Sequence, residues 1–389
     1  MNLPKKIFKV LRLTLRKKTA ALHEPLFKNN ESKLLVNCIN SGYVSSIGKY
    51  VTKFEDKVKK YTNSKNVVSV INGTAALHLA LKLLNVKKND EVILPTITFV
   101  ATANAISYCD AIPHFVDSEL DTFGIDVFKL EKYLSKNCKI INGECFNKNT
   151  KRRIRAIIAV HIFGNPMNIK GLVKIAKKFK LKIIEDAAEG LGSYYKNIHV
   201  GNFGDIGIIS FNGNKVITTG GGGMLLIKSN NIAKKAKHLA TSAKKLHKWE
   251  YFHDQIGFNY RLPNINAALG YAQITNIKKL IVAKKKLYCA YKKNFSKIKE
   301  IKFINPNPFT KSNHWLNTIY LHKSNIFKRN QVLKELHQNR YYCRPIWTPL
   351  HKLPMYKNFP KDNLSNAVTI QKSVINIPSS SHFFYPKSK

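Results

Sequence analysis

Three side chains at the ends of apolar runs could do chemistry together. Asp186 closes the run Ile183-Ile184-Glu185, Ser210 lies near the end of a second run at 206–211, and Lys215 follows that run after a short polar turn. The glycines Gly220-Gly221-Gly222-Gly223 come next. Apolar runs of this length, bounded by turn signals, fit buried parallel strands, and ligands in open α/β sheets collect beyond the carboxyl ends of such strands. One rim is therefore expected to carry a carboxylate, a hydroxyl and an amine. An amine for a Schiff base, a carboxylate to face a ring nitrogen and small donors for a phosphate form the set that pyridoxal 5'-phosphate requires.

Residue type alone says nothing about Lys215, because in a chain with 66 basic residues any single lysine is a surface charge by default. Its position singles it out. It stands a few residues beyond a buried run and just before glycines, where backbone can approach a ligand with no Cβ in between.

A second anion site is expected upstream. The run 67–71 reads as a strand, Asn72-Gly73-Thr74 as a turn, and 75–84 as a helix. Unpaired N–H groups and the helix dipole point at such a turn, so Gly73, Thr74 and Ala75 are the candidate phosphate donors. Further strands are expected at 91–94, 112–116 and 155–160, with helices over 99–108, 122–136 and 169–179. This alternation predicts an α/β protein with a mostly parallel sheet covered by helices. Residues 137–153 read as a polar insertion with Cys138 and Cys145 as bystanders, and 266–281 as one long helix.

The motifs E-D-A-A ending at Ala188, S-F-x-G-N-K ending at Lys215 and T-T-G-G-G-G ending at Gly223 resemble the DegT/StrS family of sugar aminotransferases. The resemblance runs from about Leu22 to the end. It implies the fold type I of pyridoxal phosphate aminotransferases: a large domain with a mostly parallel mixed sheet, here 22–283, and a smaller C-terminal α/β domain, 284–389. Residues 1–21 would be an amphipathic arm. By the same resemblance Phe99 stacks on the cofactor ring, His161 and Glu189 lie near the cofactor, and Asn259 reaches the phosphate in a neighbouring subunit. A homodimer with shared active sites follows. Trp347 and His351, within R-P-x-W-x-P-L-H, would face the substrate, as would His161 at its strand end.

The activity so implied is transfer of an amino group from glutamate to C4 of a nucleotide-linked 4-keto-6-deoxy-N-acetylhexosamine, as in legionaminic acid and bacillosamine supply. Lys215 would be both covalent catalyst and general base, with Asp186 holding the ring nitrogen protonated. A carboxylate beside a phenolate is awkward, so Glu189 is either protonated or turned away. Transfer to C3 and perosamine formation remain open on the same fold. Sugar dehydration, where family members replace this lysine with histidine, is disfavoured by Lys215.

Composition bounds the alternatives. The 389 residues can bury a large core, and 66 basic against 22 acidic residues give 66 − 22 = +44. Such a charge raises nucleic-acid binding, but the lysines spread along the whole chain rather than forming one basic face with interleaved aromatics. The field would also draw in an anionic sugar nucleotide. Six scattered cysteines show neither metal spacing nor a disulfide framework, which fits a reducing cytoplasm. No run suits a membrane-spanning helix. The first 19 residues place Ile7, Val10, Leu11 and Leu15 at helical spacing among lysines and arginines. This reads as a helix docked on the protein, with a membrane-surface anchor as the lesser alternative.

Overall fold

The computed structural model describes residues 2–28 and 30–386. Its larger sheet has nine strands. Five of them, Ile112–Val116, Glu91–Pro95, Arg153–Val160, Lys182–Asp186 and Ile206–Ser210, run parallel side by side. Gly223–Ile227 then joins antiparallel, between Ile206–Ser210 and the edge strand Asn66–Val70. Parallel strands buried on both faces must be apolar at nearly every position. Ile158 and Ile184 accordingly enter the core on one side of the sheet, and Ile157 and Ile183 the core on the other.

Two expectations about local structure are corrected. The helix foreseen over 122–136 begins only at Val127, because the Asp126 carboxylate caps it by accepting from the N–H groups of Phe128 (3.1 Å) and Lys129 (3.0 Å). A side-chain acceptor placed there satisfies donors that the first turn would otherwise leave open. The single helix foreseen over 266–281 is two, Asn264–Thr275 and Ile277–Phe295, separated at Asn276. Within the segment read as a polar insertion, Cys138–Ile141 and Glu144–Asn147 form a hairpin that joins the sheet through Arg153–Val160.

A smaller four-stranded sheet orders Ile301–Phe303, Asn317–Leu321, Val374–Ile377 and Arg344–Pro345. The N-terminal helix Leu3–Leu15 lies on this smaller unit, packing Ile7, Leu11 and Leu15 in one cluster with Leu287, Tyr291 and Phe295. Its Lys5, Lys9 and Arg12 stay exposed. The expected division after residue 283 falls inside the helix Ile277–Phe295, which runs without interruption from one unit to the other.

Gly207 fixes how closely the strand that ends in Ser210 can be approached. A Cβ there would lie 2.2 Å from the carbonyl oxygen of Gly201 and 2.4 Å from its Cα. Backbone cannot yield as a side-chain tip can. Gly207→Ala is expected to destabilise the protein by about 1–3 kcal/mol or more, as overpacking does, in a denaturant titration. A variant as stable as the parent would show that the Gly201 turn moves freely.

Candidate active site

The sheet register brings the chemistry together. Asp186 lies opposite Val160 on one neighbouring strand and Ile208 on the other, so Ser210 emerges two residues further along the same rim. Asp186, Ser210 and Lys215 line one cleft of about 320 Å³, with Asn72, Gly73, Thr74, Phe99, Thr102, Glu189, Trp315 and Trp347.

Asp186 is buried, with Oδ2 accepting from the Thr102 hydroxyl at 2.8 Å and Oδ1 from the Ala188 N–H at 3.2 Å. Burial pushes its carboxyl above the ordinary aspartate value, against the pull of Thr102, Ala188 and Lys215. Its neighbour Glu185 points to the other face and is treated very differently. Burial works against its ionisation too, yet His161 and the N–H groups of Gly204 and Gly201 hold its carboxyl below the usual value. The N–H donors of Gly201, Phe203 and Gly204 lie 2.6–2.8 Å from its oxygens. Its proton-bearing partner is His161, whose Nε2 is 3.0 Å away while Nδ1 accepts from the Met167 N–H at 3.3 Å.

His161 is thus fully buried, engaged at both nitrogens and absent from the cleft wall. The expectation that it meets substrate is corrected: it stands behind the strand and fixes Glu185.

Lys215 Nζ sits 3.4 Å from Glu189 Oε1 and 4.1 Å from the centre of the Trp315 ring. Glu189 Oε2 accepts from the Phe163 N–H at 2.8 Å. Burial raises the Glu189 carboxyl, with Lys215 and Phe163 opposing and Asp186 adding to the rise. A carboxyl pushed toward its neutral form can lie beside an anionic oxygen, which answers the awkwardness noted for this position.

The other end of the cleft suits a phosphate. Asn72 caps the helix Gly73–Leu83, its Oδ1 accepting from the Ala75 N–H at 2.8 Å and its carbonyl from Ala76 at 3.1 Å. That leaves the first-turn N–H groups of Gly73 and Thr74 on the wall without an intrahelical acceptor. Ala75 is corrected as a donor, since the cap already uses its N–H and it does not line the cleft. Gly73 is needed there because a Cβ would come within 3.1 Å of Ser210 Cβ and narrow the gap between turn and hydroxyl.

Aromatic rings form the mouth. Phe99 is 55% exposed, with its ring 6.5 Å from that of Trp347, which packs 5.0 Å from Phe163. One expected residue falls elsewhere. His351 lies off the cleft wall, with Nδ1 2.8 Å from the Thr96 hydroxyl. Asn259 is exposed, bridges to Thr241 and does not line the cleft of its own chain. Thr102, Asn214 and Trp315 went unread in the sequence, because each needs the folded register to bring it to the rim. Among the described residues no group of three or more His, Cys, Asp or Glu could hold a metal.

The DegT/DnrJ/EryC1/StrS aminotransferase family model matches residues 25–385. The chain belongs to that family. It is 35% identical to the GDP-perosamine synthase of Escherichia coli O157:H7 over 335 residues, 86% of each chain. It is 30% identical to the UDP-4-amino-4,6-dideoxy-N-acetyl-beta-L-altrosamine transaminase of Campylobacter jejuni strain 81-176, across 85% of each. The putative sugar aminotransferase Spr1654 of Streptococcus pneumoniae, solved in its PLP form, superposes with a TM-score of 0.82 at 24% identity, covering 94% of each chain. The fold is that of the pyridoxal phosphate aminotransferases, and this sugar aminotransferase uses that cofactor. The cleft fits the group by its lining: a carboxylate that makes no ion pair among the described residues, first-turn N–H groups beside a hydroxyl, and an amine between Glu189 and the Trp315 ring.

Asp186→Asn keeps the shape of the side chain and removes the charge. Loss of one preorganised electrostatic contact costs on the order of 10²–10³ in rate, and a fall of that size in kcat with unchanged melting temperature is expected. A variant within a few-fold of the parent would show that the carboxylate does not face the reacting ring.

Proposed function

We propose that this enzyme moves an amino group from glutamate to C4 of a nucleotide-linked 4-keto-6-deoxy-N-acetylhexosamine. The observation that carries the assignment of roles is the Lys215 amine, held between Glu189 and the Trp315 ring in the cleft that Asp186 and the Gly73-Thr74 turn also line. When bound, pyridoxal phosphate supplies a carbonyl that amines capture and a ring that accepts the electrons of an adjacent C–H bond. Lys215 Nζ would be the amine that holds the cofactor and, once free, the base that moves a proton at the donor Cα. Asp186 would pair with a protonated ring nitrogen. Gly73, Thr74 and Ser210 would hold the phosphate, and Phe99 would orient the ring.

A larger cavity of about 1030 Å³ opens beside the cleft and shares Phe99, Asn214, Trp315 and Trp347 with it. Among the described residues its walls carry Lys334 and Arg344 and no acidic residue. That supports a substrate bearing a nucleoside diphosphate, since a guanidinium fork matches phosphate oxygens. Arg344→Ala is expected to raise KM for the sugar nucleotide roughly tenfold, the worth of one charge-assisted hydrogen bond, while leaving kcat nearly unchanged. An unaltered KM would remove Arg344 from the site.

The active unit in this reading is a homodimer that shares Asn259 between sites. An exposed Asn259 beside the solvent-facing Leu246, Trp249, Tyr251, Phe252 and Ile256 supports it. All six cysteines are free, in keeping with a reducing cytoplasm. A second reading, perosamine formation on a GDP-linked sugar, is favoured by the 35% identity to the E. coli synthase.

UDP- and GDP-linked 4-keto sugars assayed with glutamate separate the two. Turnover of the UDP-linked N-acetyl sugar, with the new amine placed at C4 by NMR, is the expected result; turnover of the GDP-linked sugar alone selects the second reading. Borohydride reduction should fix the cofactor on Lys215, and Lys215→Ala should be colourless and inactive. Unchanged sugar processing by that variant would end the mechanism.

A further inference from the structure

Lys284 is fully buried, and among the described residues no carboxylate pairs with it. Its Nζ lies 2.9 Å from His23 Nε2, 3.1 Å from the Trp315 carbonyl oxygen and 2.5 Å from that of Ser379. Two carbonyls and an imidazole nitrogen satisfy either form of the amine. An ammonium donates to all three; a neutral amine donates to the carbonyls and accepts from the imidazole. Burial favours the neutral form and pushes this lysine well below its ordinary value. His23 is pushed down as well, by burial first and then by Lys284 and Lys215. His314 and His382 also feel the Lys284 charge, and Glu24 pairs with His382 at 3.8 Å.

The three partners come from three parts of the chain, and one of them covers the reactive amine. The Trp315 ring lies over Lys215 Nζ, and its Nε1–H donates to the Asn214 carbonyl at 2.6 Å. Its backbone N–H donates to Asn313 Oδ1 at 2.9 Å, while Asn313 Nδ2 donates to the carbonyls of Glu189 (2.7 Å) and Leu191 (2.9 Å). The helix Ile277–Phe295 grips the same segment once more. Its Tyr288 ring stacks at 4.2 Å on His314, whose φ of +52° lies in the left-handed region that a residue with a Cβ adopts only when its surroundings hold it there.

We propose that Lys284, seated against His23, is a positioning residue for amino transfer: it clamps the 312–316 segment so that the Trp315 ring stays over Lys215 Nζ. Lys284 touches no reacting atom and acts through the tryptophan. A ring face opposite an ammonium stabilises the charged amine and restricts its rotamers. Releasing the segment therefore changes how the Lys215 amine is presented without removing any group from the cleft. The proposal rests on Lys215 being the cofactor lysine.

The test uses holoenzyme and L-glutamate alone, so that it does not depend on the sugar. Borohydride labelling is mapped first, then the single-turnover reaction with glutamate is followed by loss of the visible band. Lys284→Met should slow that step about tenfold without weakening glutamate binding, and should shift the visible band. In a double-mutant cycle, Lys284→Met added to Trp315→Leu should cost nothing further, because both act through one ring. Independent effects in the cycle, or a lower melting temperature with rate and spectrum unchanged, overturn the clamp. If Lys284→Met does not fold, His23→Gln takes its place in the same cycle and is read the same way. Label found on another lysine instead overturns the assignment of Lys215, and with it this proposal.

Discussion

Everything at the rim follows from the cost of putting carboxylates inside a sheet. An ion removed from water carries a penalty of several kcal/mol unless partners replace its hydration. Glu185 and Asp186 are adjacent on one strand and meet this demand in opposite ways. Glu185 receives three backbone N–H groups and His161. Asp186 receives one hydroxyl and one N–H, and among the described residues makes no ion pair. The first is a finished structural element. The second is left short of positive charge on the side of the sheet that faces the cleft, and a protonated ring nitrogen would complete it.

Alternation along a strand explains this division and also explains which residues could be read in advance. Asp186, Ser210 and Lys215 were legible because strands buried on both faces leave uninterrupted apolar runs whose ends are easy to see. His161 was misread for lack of register. It follows Val160, which is paired with Asp186 and shares its face, so the next residue must point the other way, toward Glu185. No periodicity within residues 155–160 fixes which parity faces the ligand; the neighbouring strand does. Ala75 is a different case, because Asn72 is a strong capping residue and a cap at that position consumes the N–H three residues on.

Trp315 marks the limit of reading one strand at a time. It belongs to a segment at the edge of the smaller unit, and nothing near it in sequence points to a lysine a hundred residues earlier. The Asn313 bonds to Glu189 and Leu191, together with the bond from its own indole N–H to the Asn214 carbonyl, bring it to the rim. The break at Asn276 and the late start at Val127 show the same competition on a smaller scale, where a polar side chain or a turn overrides a helical pattern. The fold class was readable from alternation; the closing wall of the cleft was not, because it is built by contacts between distant parts of the chain.

The carboxylates drawn inside leave their mark on the outside. Glu31, Asp90, Glu91, Asp117, Glu185, Asp186 and Glu189 are all buried, out of the 22 acids in the whole chain. The solvated exterior is therefore even more one-sided than the composition suggests. Such a particle carries a dense cloud of small anions with a thickness of about 8 Å at physiological ionic strength. An incoming polyphosphate has to displace part of that cloud, so the effective reach of the enzyme for its substrate is set by the salt around it as well as by the shape of the cleft.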